Sequence, residues 1–252
     1  AVMVYKQHGL LHELIEGISL LNRLEKAFNI PPINPETGLV ECELNKRGVN
    51  YGFTDIVVQS GNLLFCSILR YRAALRMSDL LELSGQVTRT KHYRGIATQI
   101  ANNIFDVFTH KSGLLHATTG KSNQLDIWGS AFAVYIGMSN HDQTHKISQA
   151  LIKAIGAGTI AWEGNIRHVP TDNDFSDESA WEETVSFGTF PKNTYQNGAY
   201  WNTPTGWICY AISQISPDIG KSLAIKYVRQ LQSDDFRGLI TYDYDTFVEE
   251  ER

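Results

Sequence analysis

The chain has 252 residues, a formal net charge of −5 and 42 % hydrophobic residues, ordinary values for a folded protein able to bury a sizeable core. Lys and Arg are scattered instead of gathered on one stripe, which excludes nucleic acid as an expected partner, and no apolar run reaches the roughly 18 residues of a membrane span. Cys42, Cys66 and Cys209 are odd in number and widely spaced, so neither a disulfide framework nor a zinc site is expected; the compartment stays open, tilting toward a reducing, cytoplasmic one.

In chain order, the first expected element is a helix over residues 10–28, stopped by Pro31 and Pro32. A second helix falls within residues 60–83, where Leu64, Ile68, Tyr71 and Leu75 share one face and Gly85 supplies the stop. Tyr93, Ala97, Ile100, Ile104 and Val107 repeat the pattern up to the Lys111-Ser112-Gly113 turn, so the two form a helical hairpin. A second hairpin pairs residues 127–138 with a helix carrying Ile147, Leu151 and Ile155, N-capped by Ser139 or Asn140 and closed by Gly156 and Gly158. A third pairs residues 205–215 with a helix that has Ser216 as N-cap, Pro217 at its first position and Ala224, Tyr227 and Leu231 beyond. Short β-ribbons are expected at residues 114–117 and 160–162.

The connections between hairpins are long, polar and rich in Trp, Tyr, His and Asn, above all at residues 39–54, 113–124, 159–178 and 189–204. Loops of that length are usually functional or disordered, and the aromatic content argues for function. The segment 195–207 concentrates the signal, with Tyr195, Gln196, Asn197, Tyr200, Trp201 and Trp207. Aromatic faces stack on the apolar face of a pyranose, and amide side chains read hydroxyls. The alternative is a structural loop whose aromatics cap the core.

Four segments together resemble the six-hairpin glycosidases: Tyr51-Gly52-Phe53-Thr54-Asp55, Gln124-Leu125-Asp126-Ile127-Trp128-Gly129-Ser130-Ala131, Ile166-Arg167-His168-Val169-Pro170, and residues 195–207. The resemblance covers roughly residues 51–231 and rests on the order of degenerate motifs. It implies an all-α fold, an (α/α)6 toroid, with residues 1–252 as one domain and a sugar cleft formed by loops at one end of the helices. A full ring needs about twelve helices, more than this sequence spells out. Either further helices lie in its less periodic stretches and the toroid is full, or the chain is the C-terminal part of a larger enzyme, a partial toroid with an additional domain upstream or a homo-oligomer and a catalytic group outside the chain.

The implied activity is glycoside hydrolysis, inverting by resemblance, on an oligosaccharide or glycoside, with no cofactor and no metal. Such chemistry needs two carboxyl groups, about 6.5–9.5 Å apart for inversion and about 5 Å for retention. Asp55 follows Tyr51 and Phe53, whose desolvation suits a general acid, and Asp126 stands in the same relation to Trp128; both are equally suited to N-capping. Glu163, beside Trp162, is the third carboxylate, with a solvated loop position as its plain reading. Trp128, Arg167, His168, His116, Gln196, Asn197, Tyr200 and Trp201 are the expected sugar-binding residues, Arg167 and His168 alternatively bracing their loop. The acidic run from Asp172 to Glu183 suits a helix N-terminus. His141 and His145 have a metal-capable spacing on a face that otherwise reads as exposed surface. Two rival readings are a sugar epimerase or isomerase using His116 and His168, and a non-catalytic carbohydrate-binding module.

Overall fold

The computed structural model describes residues 7–43, 59–120, 122–173 and 198–233. Those residues hold seven α-helices and three small antiparallel sheets. The N-terminal region departs from the sequence expectation. In place of one helix there is a single 3₁₀ turn at His8–His12, a ribbon of β1 (Leu14–Ile15) and β2 (Ile18–Ser19), and then helix α1 (Leu20–Phe28). Glu16 and Gly17, at φ +50° and +76°, make the two-residue reversal between β1 and β2, a conformation that a helix cannot accommodate. Ser19 then caps α1 by accepting the Asn22 N–H at 3.3 Å.

The remaining six helices form three hairpins: α2 (Leu64–Leu83) with α3 (Val87–Phe108), α4 (Ile127–Tyr135) with α5 (His141–Gly156), and α6 (Thr205–Ser213) with α7 (Pro217–Gln232). Each hairpin closes through a short turn. Gly85, at φ +71°, ends α2, and the Gln86 N–H returns to the Leu81 carbonyl. Asn140 opens α5 with a reciprocal capping box, its side chain accepting the Gln143 N–H while the Gln143 side chain accepts the Asn140 N–H, each at 2.9 Å. Ser216 occupies the expected N-cap of α7 with Pro217 next, although the Ser216 side chain makes no capping hydrogen bond.

Helix α2 packs on α4 and α4 on α6, so these three line up as an inner row, and α3, α5 and α7 cover them from outside. Composition explains the order. Every residue from Ile127 to Val134 of α4 is buried, whereas α5 buries only Ile147, Ser148 and Leu151 and turns Lys146, Gln149 and Lys153 outward. The core joins Leu64 and Ile68 of α2 to Ile100 and Ile104 of α3, Phe132 of α4, Leu151 of α5 and Ile208 and Ile212 of α6. The Ser148 hydroxyl donates to the Ala211 carbonyl at 2.7 Å, tying α5 to α6.

The long connections all lead into the N-termini of the inner helices. There, β3 (Glu41–Cys42) pairs with β4 (Gly61–Asn62) ahead of α2, and β5 (Ala161–Trp162), β6 (Asn165–Arg167) and β7 (Tyr200–Trp201) form one antiparallel sheet ahead of α6. Ala161 and Trp162 therefore do form a strand, and residues 109–125 make isolated bridges, Thr109 to Leu115 and His116 to Leu125. None of the described helices is long and apolar enough to cross a membrane.

Candidate functional site

The N-terminus of α4 organises the loop end of the molecule. Asp126 is 1 % exposed and is the N-cap, its Oδ1 accepting the Gly129 N–H at 2.7 Å. Its own N–H donates to the Leu115 carbonyl at 2.8 Å, and the Ile127 N–H donates to the His168 carbonyl at 3.0 Å. Two loops distant in sequence are thereby fixed to one helix end. Ser130 locks the register, its hydroxyl donating to the Asp126 carbonyl at 2.6 Å and accepting the Leu115 N–H at 2.9 Å.

The same Asp126 oxygen lies 3.4 Å from His168 Nε2, and the His168 ring sits 5.0 Å from that of Trp128. All three side chains are buried. Next to His168, Arg167 is 2 % exposed, with its guanidinium 5.7 Å from the Tyr200 ring. Strand pairing makes this possible: Arg167 stands opposite Tyr200 and Ile166 opposite Trp201. Gly198 completes the cradle, because a Cβ there would collide with the Arg167 guanidinium. Asp126, Trp128 and His168 thus form one buried group and Arg167 and Tyr200 a second beside it, built from the start of α4 and from strands β6 and β7, whereas Trp201, paired with Ile166 on the other face of the sheet, packs on the core.

Glu163 does not join them. It is exposed at the tip of the β5–β6 reversal, at φ +44°, and the following Gly164 lies against the Tyr227 backbone of α7. A two-residue hairpin turn demands positive φ at both positions, which explains a Glu-Gly pair there without any catalytic role. His116 has its own partners: Nδ1 is 2.6 Å from the Asn123 carbonyl, so it is the donor there, and the ring stands edge-on to His110 at 5.0 Å. Burial, His116 and Lys111 together hold the His110 imidazole below its usual range. The two imidazoles required by an epimerase, His116 and His168, are each committed to different neighbours. Asp55, Gln196 and Asn197 lie outside the described residues, as do Tyr195 and the stretch from Asp174 to Glu183.

His141 is exposed on the side of α5, and no group of three potential metal ligands gathers among the described residues. No disulfide joins Cys42, Cys66 and Cys209, and burial, then Cys42 and Asp126, push the Cys66 thiol up to about 12.

The sequence reading missed an aromatic ladder on the inner row. Phe65 of α2 stacks on Phe132 of α4 at 5.2 Å, Phe132 meets Trp207 of α6 at 4.7 Å, and Tyr135 meets Tyr210 edge-on at 5.4 Å. Tyr135 and Tyr210 keep nearly half their surface exposed, and Arg72 lies 5.9 Å over Phe132. The signal was present as two i, i+3 aromatic pairs, Phe132 with Tyr135 and Trp207 with Tyr210, on helices that prove to be neighbours. Compared with protein-family models and with characterised proteins, the chain matches no family and no individual relative.

Proposed function

We propose that this chain forms the sugar-binding end of an (α/α) toroid glycoside hydrolase, its three hairpins being an arc of the six-hairpin ring. The observation that carries the reading is the grouping of Asp126, His168 and Trp128, with Arg167 and Tyr200 next to them in the chain and the sheet, at the N-terminal end of the inner helix row, where the long loops gather. Aromatic walls combined with a few oriented polar groups are what a carbohydrate site requires. Asp126 is engaged both as helix cap and by His168, which makes it a positioning group for the imidazole. The transferable proton then falls to Asp55, the carboxylate that follows an aromatic pair in sequence.

The test is sugar release from a panel of aryl glycosides and unactivated oligosaccharides. Asp55→Asn is expected to lower kcat on an unactivated glycoside by about 10² to 10⁴, with a smaller loss on an aryl glycoside whose leaving group needs no proton. Full activity of Asp55→Asn removes the acid assignment.

One observation favours a second reading, a non-catalytic carbohydrate-binding module: of the proposed carboxylates, Asp126 is buried as a cap and Glu163 faces solvent beside α7. Binding of oligosaccharides without hydrolysis of any glycoside in the panel selects that reading.

A further inference from the structure

Helix α4 has an inner neighbour on each flank, whereas α2 has α4 on one flank and an open groove on the other. The groove is about 470 Å³ and lies between α2 and α1. On α2 its wall is the stripe Cys66, Leu69, Arg70, Ala73, Arg76, Met77 and Leu80. These positions recur every three or four residues and, at about 1.5 Å per residue, extend roughly 21 Å along the helix. From α1, Leu24, Ala27 and Phe28 supply the facing wall. Alanines on both sides let another backbone approach closely.

Two arginines line this otherwise apolar trough, and Arg70 is the buried one. It is 7 % exposed, its Nη1 donates to the Phe28 carbonyl at 2.6 Å, and its guanidinium lies 4.1 Å over the Phe28 ring. Its Nε, also buried, has no hydrogen-bond partner, and no carboxylate lies within 4.0 Å among the described residues. Nearby arginines differ: Arg76 pairs with Asp79, Arg89 with Glu25 and Arg94 with Glu82. A buried guanidinium without an anion is costly, and among the described residues neither a carboxylate nor an apolar cover closes the groove.

We propose that the α1–α2 groove seats an amphipathic α-helix of a partner polypeptide, apolar along its buried face and carrying one Asp or Glu that meets Arg70. A helix fits because the α2 wall alone runs about four helical turns and presents residues spaced three and four apart. The proposal does not depend on sugar chemistry, so failure of the glycosidase assays leaves it standing, and the reverse also holds.

The test uses the full chain and a fluorescent, helix-stapled peptide of about five turns, with Leu and Ala on one face and a single central Glu. Its twin carries Gln in place of Glu. The Glu peptide is expected to bind at least about tenfold more tightly than the Gln peptide, and Arg70→Gln to erase that difference. Because Arg70→Gln can also fail to fold, Ala73→Arg provides a second variant at an exposed position; it is expected to weaken the Glu peptide at least about tenfold with an unchanged circular dichroism spectrum. Equal affinity of the two peptides for the unmodified chain, or full binding to Ala73→Arg, overturns the proposal. So does a homodimer that Ala73→Arg dissociates, since a second copy would then own the groove.

Discussion

Asp126 offers the clearest separation of geometry from charge, because a single carboxylate oxygen both caps α4 and faces His168. Asp126→Ala deletes that Oδ1, which accepts the Gly129 N–H at 2.7 Å and lies 3.4 Å from His168 Nε2. Losing an N-cap costs about 0.5–2 kcal/mol. That corresponds to a Tm lower by roughly 1–8 °C for a chain of this size. Asp126→Asn keeps Oδ1 where it is and loses only the charge, so less is lost than with Ala, about 0.5 kcal/mol or less. Urea unfolding followed by Trp fluorescence reads both variants, Trp128 being buried beside the change. Equal losses for Ala and Asn would show that charge, not the cap, is what the position supplies. A loss below about 0.5 kcal/mol for Ala refutes the whole assignment.

Two further outcomes follow from the geometry. Gly164→Ala places a methyl group 2.6 Å from the Tyr227 backbone at φ +90°, where both strain and collision act on main-chain atoms; a stability loss of at least about 2 kcal/mol is expected in urea unfolding, and an unchanged midpoint contradicts the packing of the β5–β6 turn on α7. Glu25, which ties α1 to α3, accepts hydrogen bonds from Arg89 and from the Tyr93 hydroxyl, and Arg89 chiefly holds its carboxyl below the ordinary 4.5. A depressed folded-state value means that the contribution is present above about 4.5 and lost as pH falls through the lower folded value. Glu25→Gln is therefore expected to be less stable near neutrality and to show a flatter decline of stability below that pH; an acid limb identical to that of the unmodified chain contradicts the ion pair.

The hairpins were legible because their stripes keep a 3.6-residue period over three turns or more and end at glycines such as Gly85 or at caps such as Asn140. The N-terminal error has the same origin. Leu11, Leu14, Ile15 and Ile18 mimic a helical stripe, and only the Glu16–Gly17 reversal, a matter of backbone sign and not of hydrophobicity, divides it. Asp126 and His168 were each visible as polar residues beside aromatics, but their contact spans 42 positions and depends on the Ile127 N–H finding the His168 carbonyl, which no local pattern encodes. Glu163 was selected for its neighbours Trp162 and Arg167, yet a hairpin tip sends adjacent residues in opposite directions. The α1–α2 groove was hidden for a further reason: an inner helix is apolar on several faces, so its sequence does not distinguish the covered face from the open one.

Fold and site meet at Gly129. A Cβ there would stand 2.5 Å from Asp126 Oδ2 and 2.7 Å from Leu64 Cδ2, so the missing side chain serves two purposes at once. It lets α2 approach α4, which aligns the inner row, and it lets the Asp126 carboxylate fold back over the helix end, which holds that carboxylate toward His168. Any side chain at 129 must push one of these away. Widening the α2–α4 contact disturbs the Phe65–Phe132 stack a turn further along, whereas displacing Asp126 frees the imidazole. The polar cluster at the loop end and the aromatic ladder below it are therefore mechanically linked through one backbone position, which ties the orientation of His168 to the packing of the inner helices themselves.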